Sequence, residues 1–283
     1  IVRVISPILV LIRKIYKYKI CLMQTDRLGH LALNNHLFFI RHKKDLIENL
    51  NYYLIAPSIN SSNVANKDLL LLHIEYSKKL HNVRIISSSA LHFFFHYSIA
   101  LFSGKDFFSC LELKSNESEF SLAEQTVSFT QKQKSIGNET LLQMGITKND
   151  KLVSIYTRDS AFLENFDSQR DWSYHNYRDT NINAYLKAIK YLIQEGYTVV
   201  RIGSEYSKKL NFIDENYFEY SLSEFKSGFM DLYIPYISDF IIGSRSGATD
   251  VSLLFNTPLL VVNSTTFVES PLGKDDLFIQ KKL

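Results

Sequence analysis

Short apolar runs alternate along this chain with longer stretches in which apolar positions recur at helical spacing. The first run, Tyr18 to Met23, reads as a buried strand that passes through a polar loop into a helix beginning near Leu31. Runs at Tyr52 to Ala56 and Val83 to Ile86 follow, alternating with helical patterns at Asn66 to Leu80 and Leu91 to Leu101. The alternation predicts βαβ units and parallel sheet. The polar stretch from Asn116 to Gln133 reads as a surface helix or a linker. Beyond it, strands are predicted at Lys151 to Tyr156, Tyr197 to Ile202, Asp239 to Ile242 and Pro258 to Val262. Helices are predicted at Asn181 to Gln194, closed by Gly196, at Phe229 to Ile237 and at Ala248 to Phe255.

The pattern implies an α/β protein of two Rossmann-like lobes, residues 1–135 and 136–283, with a cleft between them; 283 residues allow each lobe its own core. Apolar residues at 46% and charged residues at 22% exclude wholesale disorder. A net charge of +3 without a basic stripe argues against a nucleic-acid partner. Cys21 and Cys110 lack the spacing of a zinc or redox centre, which points to a reducing cytoplasm. The apolar stretch Val4 to Ile12 falls short of the roughly 20 residues that span a bilayer. Followed by Arg13, Lys14, Lys17 and Lys19, it reads as a leading strand or helix, with peripheral membrane contact as the alternative. The start at Ile1 suggests a truncated chain.

In open α/β sheets ligands sit beyond the carboxyl ends of strands, so the loops there are where chemistry is expected. After Ile242 comes Gly243-Ser244-Arg245-Ser246-Gly247, leading straight into a helix. Small residues let a backbone approach phosphate, and Arg245 suits its oxygens, although Ser246 also makes a plain helix cap. After Tyr156 comes Thr157-Arg158-Asp159, with Arg158 suited to clamp a diphosphate and Asp159 to orient it. After Ile202 come Gly203 and Ser204, and Ser204 with Asp250 suits sugar hydroxyls. The segment Asp171 to Asp179 is dense in donors, acceptors and rings; His175 and Arg178 are its candidates, against a loop that simply buries Trp172. In the first half, Asp26 and His30 occupy the loop and helix start after the first strand, where either would serve as a general base or, more plainly, as a helix-start residue.

The dinucleotide fingerprint, the nucleotide-triphosphate glycine loop and the serine nucleophile elbow are missing from the sequence. A mid-chain Asp-x-Asp is missing too, and Asp275-Asp276 lies near the terminus. Without a cation, a departing diphosphate would be met by Arg158, Arg178 and Arg245.

The stretches Asp26 to Ala32, Arg158 to Phe162, Asp171 to Asp179, Gly196 to Gly203 and Lys226 to Asp231, with the Ser246-Gly247 turn, resemble a family of bacterial glycosyltransferases encoded among surface-polysaccharide genes. The Arg158 loop and the Ser246 turn are similar to those of O-fucosyltransferase-like and heptosyltransferase-like groups. Those groups carry His-x-Arg where this chain has Tyr156-Thr157-Arg158. The resemblance implies a metal-independent, GT-B-like transferase with no cofactor beyond its nucleotide-sugar co-substrate. Its second lobe would bind the donor through Arg158, Asp159, Arg178, Gly203, Ser204, Ser244, Arg245, Ser246, Gly247 and Asp250, with His175 orienting it. Its first lobe would hold a glycan or lipid-linked acceptor beside Asp26, with His30 as substitute base. A non-hydrolysing nucleotide-sugar epimerase and a non-catalytic carbohydrate-binding subunit remain open on the same architecture.

Overall fold

The computed structural model describes residues 2–13, 15–101, 108–110, 118–121, 125–147, 150–158, 169, 171–203, 209–265 and 273–281. Asp159 and Ser204 lie outside these residues, as do the side chains of His175 and Arg178. The chain forms two compact units, Ile1–Glu119 with Thr126–Ser128, and Phe120–Gln125 with Phe129–Leu283.

In the first unit, β1 (Tyr18–Leu22), β2 (Asn51–Ala56), β3 (Val83–Ser87) and β4 (Phe108–Cys110) form a parallel sheet in the order β3-β2-β1-β4. Helix α1 (Val2–Arg13) precedes it, and α2 (Leu28–Lys43), α3 (Lys67–Lys78) and α4 (Ser89–Leu101) connect its strands. The apolar runs become strands because a parallel sheet is covered on both faces. Tyr18, Ile20, Leu22, Ile55 and Phe95 share one core, with Leu9 of α1 packed against it. Asn66 caps α3 by accepting from the Leu69 amide at 2.9 Å.

Two histidines sit wholly inside this unit. The His73 Nε2–H donates to the Leu31 carbonyl at 3.0 Å, and His36 Nδ1 lies 2.7 Å from the Thr126 hydroxyl. Burial pulls His36 down to about 3, helped by His73, and pulls His73 down to about 4. Both are therefore neutral in the folded protein near neutrality, while the unfolded chain titrates them at 6.5. Stability from this source is complete above pH 6.5 and is lost as pH falls toward the folded values. At about pH 5 each histidine is expected to cost about 2 kcal/mol. Urea unfolding at a series of pH values checks this: His73→Asn should flatten the acid limb, and an unchanged limb would rule the mechanism out.

In the second unit, β5 (Lys151–Tyr156), β6 (Tyr197–Arg201), β7 (Tyr217–Glu219), β8 (Phe240–Gly243), β9 (Leu259–Ser264) and β10 (Leu277–Gln280) form a parallel sheet in the order β10-β9-β8-β5-β6-β7. Its helices are α5 (Gln131–Gln143), α6 (Leu186–Gln194) and α7 (Met230–Ile237). The core joins Val153 and Ile155 of β5, Val199 of β6 and Ile242 of β8 to Ile189 and Leu192 of α6. Gly196 closes α6 with φ 81°.

Some expectations are corrected by the structure. The helix expected over Ala248 to Phe255 is two turns, Gly247–Asp250 and Ser252–Phe255, with Val251 between them. The one expected at Asn181 opens as a 3-10 turn, Ile182–Tyr185, before becoming α6. In α2 the start is Leu28, three residues earlier than the apolar pattern suggests. The short β4 and β7, β10, and α5 had no clear pattern in the sequence. Helix α5 begins at a capping box between Thr130 and Gln133 and carries Gly137 against the ring of Tyr233. A Cβ at Gly137 would fall 2.2 Å from that ring, whose hydroxyl donates to the Lys134 carbonyl and to Asn138. Gly137→Ala is therefore expected to lower stability by about 1–3 kcal/mol; a melting temperature equal to that of the parent would show that the ring moves aside without cost.

Candidate functional site

Each sheet has one place where the strand order reverses. In the second unit the chain runs from β5 outward through β6 to β7, then recrosses to lay β8, β9 and β10 on the other side of β5. In parallel α/β sheets such a reversal is the place where ligand crevices form, at the carboxyl ends of the two diverging strands. Tyr156 pairs with Gly243 across this junction. The segment bearing Arg158 and the segment Ser244 to Gly247 thus leave the same edge on neighbouring strands. Gly243 has no room for a side chain, since a Cβ would lie 2.7 Å from the Tyr156 carbonyl oxygen.

Arg158 is buried, with Nη1 3.9 Å from Asp179 Oδ1. That is an ion pair without a hydrogen bond, and Nη1 has no hydrogen-bond partner among the described residues. On the neighbouring strand end, Ser244 is buried and its Oγ likewise has none. Buried donors normally find acceptors, so two such groups at one switch point mark a place suited to an anion. The Arg158 backbone is fixed from two sides. Its carbonyl accepts from the Thr180 amide at 2.9 Å, and the hydroxyl of preceding Thr157 accepts from Arg201 Nη2 at 3.1 Å.

Arg201, at the end of β6, is fully buried and also pairs with Glu219 of β7 at 3.3 Å. The same Glu219 oxygen accepts from the Leu210 amide and from the Tyr217 hydroxyl. Burial, and then the carboxylate, push the Tyr217 phenol above its ordinary value. Beyond β6, Gly203 has φ 142°, a backbone that only glycine adopts freely.

At the start of the helical turn after β8 the backbone is capped from within. Ser246 caps the helical turn, its Oγ accepting from the Ala248 amide at 3.1 Å while its own amide donates to Thr249 Oγ1 at 2.9 Å. The Ser246 and Ala248 amides are therefore engaged within the turn, with Ser246 as its cap. Arg245 is bound to Asp250 at 2.9 Å, so these two candidates hold each other.

The segment from Asp171 to Asp179 lies over the edge of this sheet. Asp171 accepts from the Ser173 amide and starts a 3-10 turn, Ser173–Arg178, while Trp172 is buried with Tyr174 stacked on it. Lys281 Nζ donates to the Tyr177 carbonyl at 2.7 Å, and Asn263, in the left-handed region at φ 57°, donates to Thr180 and to the Tyr185 hydroxyl. These ties bring β9 and the residue after β10 to the segment. Burial pushes the Tyr185 phenol up to about 12.

In the first unit the reversal falls between β1 and β4. Asp26 and His30 are both exposed after β1, and the residue at the cap position of α2 is Arg27. Sequence reading overlooked His92, which stacks on His96; burial, and then His96, lower its pKa. It also overlooked Thr157, Arg201 and Glu219. Only their placement at strand ends hints at them, and partners many residues apart supply the rest.

No protein-family model matches the sequence, and no curated protein matches it either. The fold is similar to that of the glycosyl transferase family 9 protein from Veillonella parvula DSM 2008, with TM-score 0.53 and 8% identity over 93% of this chain and 86% of that one. It is also similar to ADP-heptose lps heptosyltransferase II from E. coli, with TM-score 0.50 and 14% identity over 92% of this chain and 90% of that one. The α/β, GT-B-like class expected from the sequence is the fold class of these structures.

Proposed function

We propose that this chain is a glycosyltransferase that moves a sugar from a nucleoside-diphosphate sugar to a glycan or lipid-linked acceptor, in surface polysaccharide synthesis at the inner face of the cytoplasmic membrane. One observation carries the reading: the buried Arg158 guanidinium, held short of a hydrogen bond with Asp179, and the buried hydroxyl of Ser244 both follow the carboxyl ends of the neighbouring strands at the switch point of the second sheet. Both are donors, and a diphosphate offers acceptors. The likeness in fold to two glycosyltransferases supports the same class of chemistry.

In the proposed reaction the acceptor hydroxyl attacks the anomeric carbon and the bond to the diphosphate breaks, the leaving group keeping the electron pair. Arg158, with Arg178 and Ser244, receives the negative charge that develops, in place of a cation. Arg245 acts by holding Asp250 for a hydroxyl of the donor. Asp26 takes the proton of the acceptor hydroxyl, with His30 as substitute. His175 orients the donor.

A thermal-shift panel of nucleoside diphosphates and their sugars tests the donor site. A ligand at about 100 times its dissociation constant should stabilise the fold by about 2.7 kcal/mol. A flat response across the panel would sink the donor assignment. Turnover of donor without any acceptor would favour epimerisation instead.

A further inference from the structure

Surface helices ordinarily turn polar residues to water and apolar ones to the core. Helix α1 departs from this on its outer face. Its inward contacts are Ser6, whose hydroxyl lies 3.0 Å from that of buried Ser98 on α4, and Leu9, whose carbonyl accepts from Tyr18. The apolar residues point outward: Val4 is 66% exposed, Ile8 51% and Leu11 61%, and Ile15 just beyond the helix is 75% exposed. These four recur at the spacing of a single helical stripe, and Ile5 and Ile12 flank it. Helix α4, packed against α1, adds Phe93 at 72% and Tyr97 at 54% exposure. So large an apolar surface is uncommon on a protein that meets only water.

Charge decides what covers it. The first 25 residues contain Arg3, Arg13, Lys14, Lys17 and Lys19 and no acid, Asp26 being the first. The sequence of α4 has no acid either. An apolar stripe on a segment whose charged residues are all cations matches a bilayer with anionic headgroups: rings and aliphatic chains enter the acyl boundary while cations stay among phosphates. Among the described residues no helix is long and apolar enough to cross a membrane, so this contact lies along the surface.

We infer that the outer face of α1, extended by Phe93 and Tyr97 of α4, docks the first unit on an anionic lipid surface. The inference stands apart from the glycosyl-transfer reading, although a lipid-linked acceptor would be met at such a surface. Co-sedimentation with phosphatidylcholine vesicles, with and without phosphatidylglycerol, tests it, comparing the parent with Ile8→Glu/Leu11→Glu. The parent should bind the anionic vesicles at least about tenfold more tightly than the neutral ones, with binding that weakens as salt rises, and the variant should lose at least about tenfold. An unchanged circular-dichroism melt for the variant separates lost docking from lost folding. If that variant melts early, Phe93→Ser must lower vesicle binding in its place. Equal binding to both kinds of vesicle, or a well-folded variant that binds like the parent, overturns the inference. So does a parent that ignores vesicles but forms a dimer which the variant abolishes, since the face would then belong to a second copy of this chain. None of these readouts involves nucleotide, so a failed donor panel leaves the result standing.

Discussion

Replacing Arg158 with alanine is expected to remove the thermal stabilisation by nucleoside diphosphates and to lower turnover about 10²- to 10³-fold, the range for losing a preorganised donor to developing charge. The side chain is buried at the end of β5, and Asp179, 3.9 Å away, holds it without a hydrogen bond. Among the described residues its Nη1 therefore keeps donor capacity, which the proposed function gives to the diphosphate. The Asp179 side chain is 24% exposed, so the broken pair should cost the fold about 1 kcal/mol. A folded protein that no longer responds to nucleotide is the expected signature. Arg158→Lys should recover only part of the loss, because an ammonium presents a point charge where the guanidinium presents a fork. Full turnover with an undiminished thermal shift in Arg158→Ala would remove the basis of the donor site.

Arg201→Met is expected to produce the largest loss of stability, about 3–5 kcal/mol, read as a fall in the denaturant midpoint. The guanidinium is buried between β6, β7 and the exit of β5, and its removal leaves the Glu219 carboxylate, among the described residues, with the Leu210 amide and the Tyr217 hydroxyl. Most of the penalty comes from that stranded charge. Adding Glu219→Leu should therefore restore a large part of the stability, as apolar replacement of a whole buried pair often does. The double variant should still turn over slowly, because Thr157 loses the donor that steadies the backbone next to Arg158. A midpoint shift worth under about 1 kcal/mol would mean that the cluster is already hydrated.

Most strands were legible in the sequence because a doubly covered parallel sheet writes itself as near-continuous apolar runs, as at residues 52–56. The shorter β4, β7 and β10 were not. Three or four residues give too little periodicity, and they join the sheet only because neighbouring edges offer hydrogen bonds. Arg158 could be singled out because it follows a strand immediately. Arg201 looks like an ordinary residue near the end of one, and the reason it is charged and buried is Glu219, 18 residues later on another strand.

The Ser246 turn shows the opposite limit. Its small residues fit both a phosphate site and a helix cap, and the cap itself rests on where Thr249 Oγ1 and Ser246 Oγ point, which composition does not encode.

Local chemistry in the sequence by itself determined the alternation of strands and helices, the α/β class and the positions of the loops at strand ends, because period and turn residues act over a few neighbours. Tertiary structure decided the partners: Asp179 for Arg158, Glu219 for Arg201, Asp250 for Arg245 and Thr126 for His36. It also decided which way α1 faces. Periodicity alone would have turned the apolar stripe inward, but Ser6 meets Ser98 on the inner side and the larger apolar residues are left outside. Pairing and burial depend on strand order and register, which bring together residues that no short window of sequence contains.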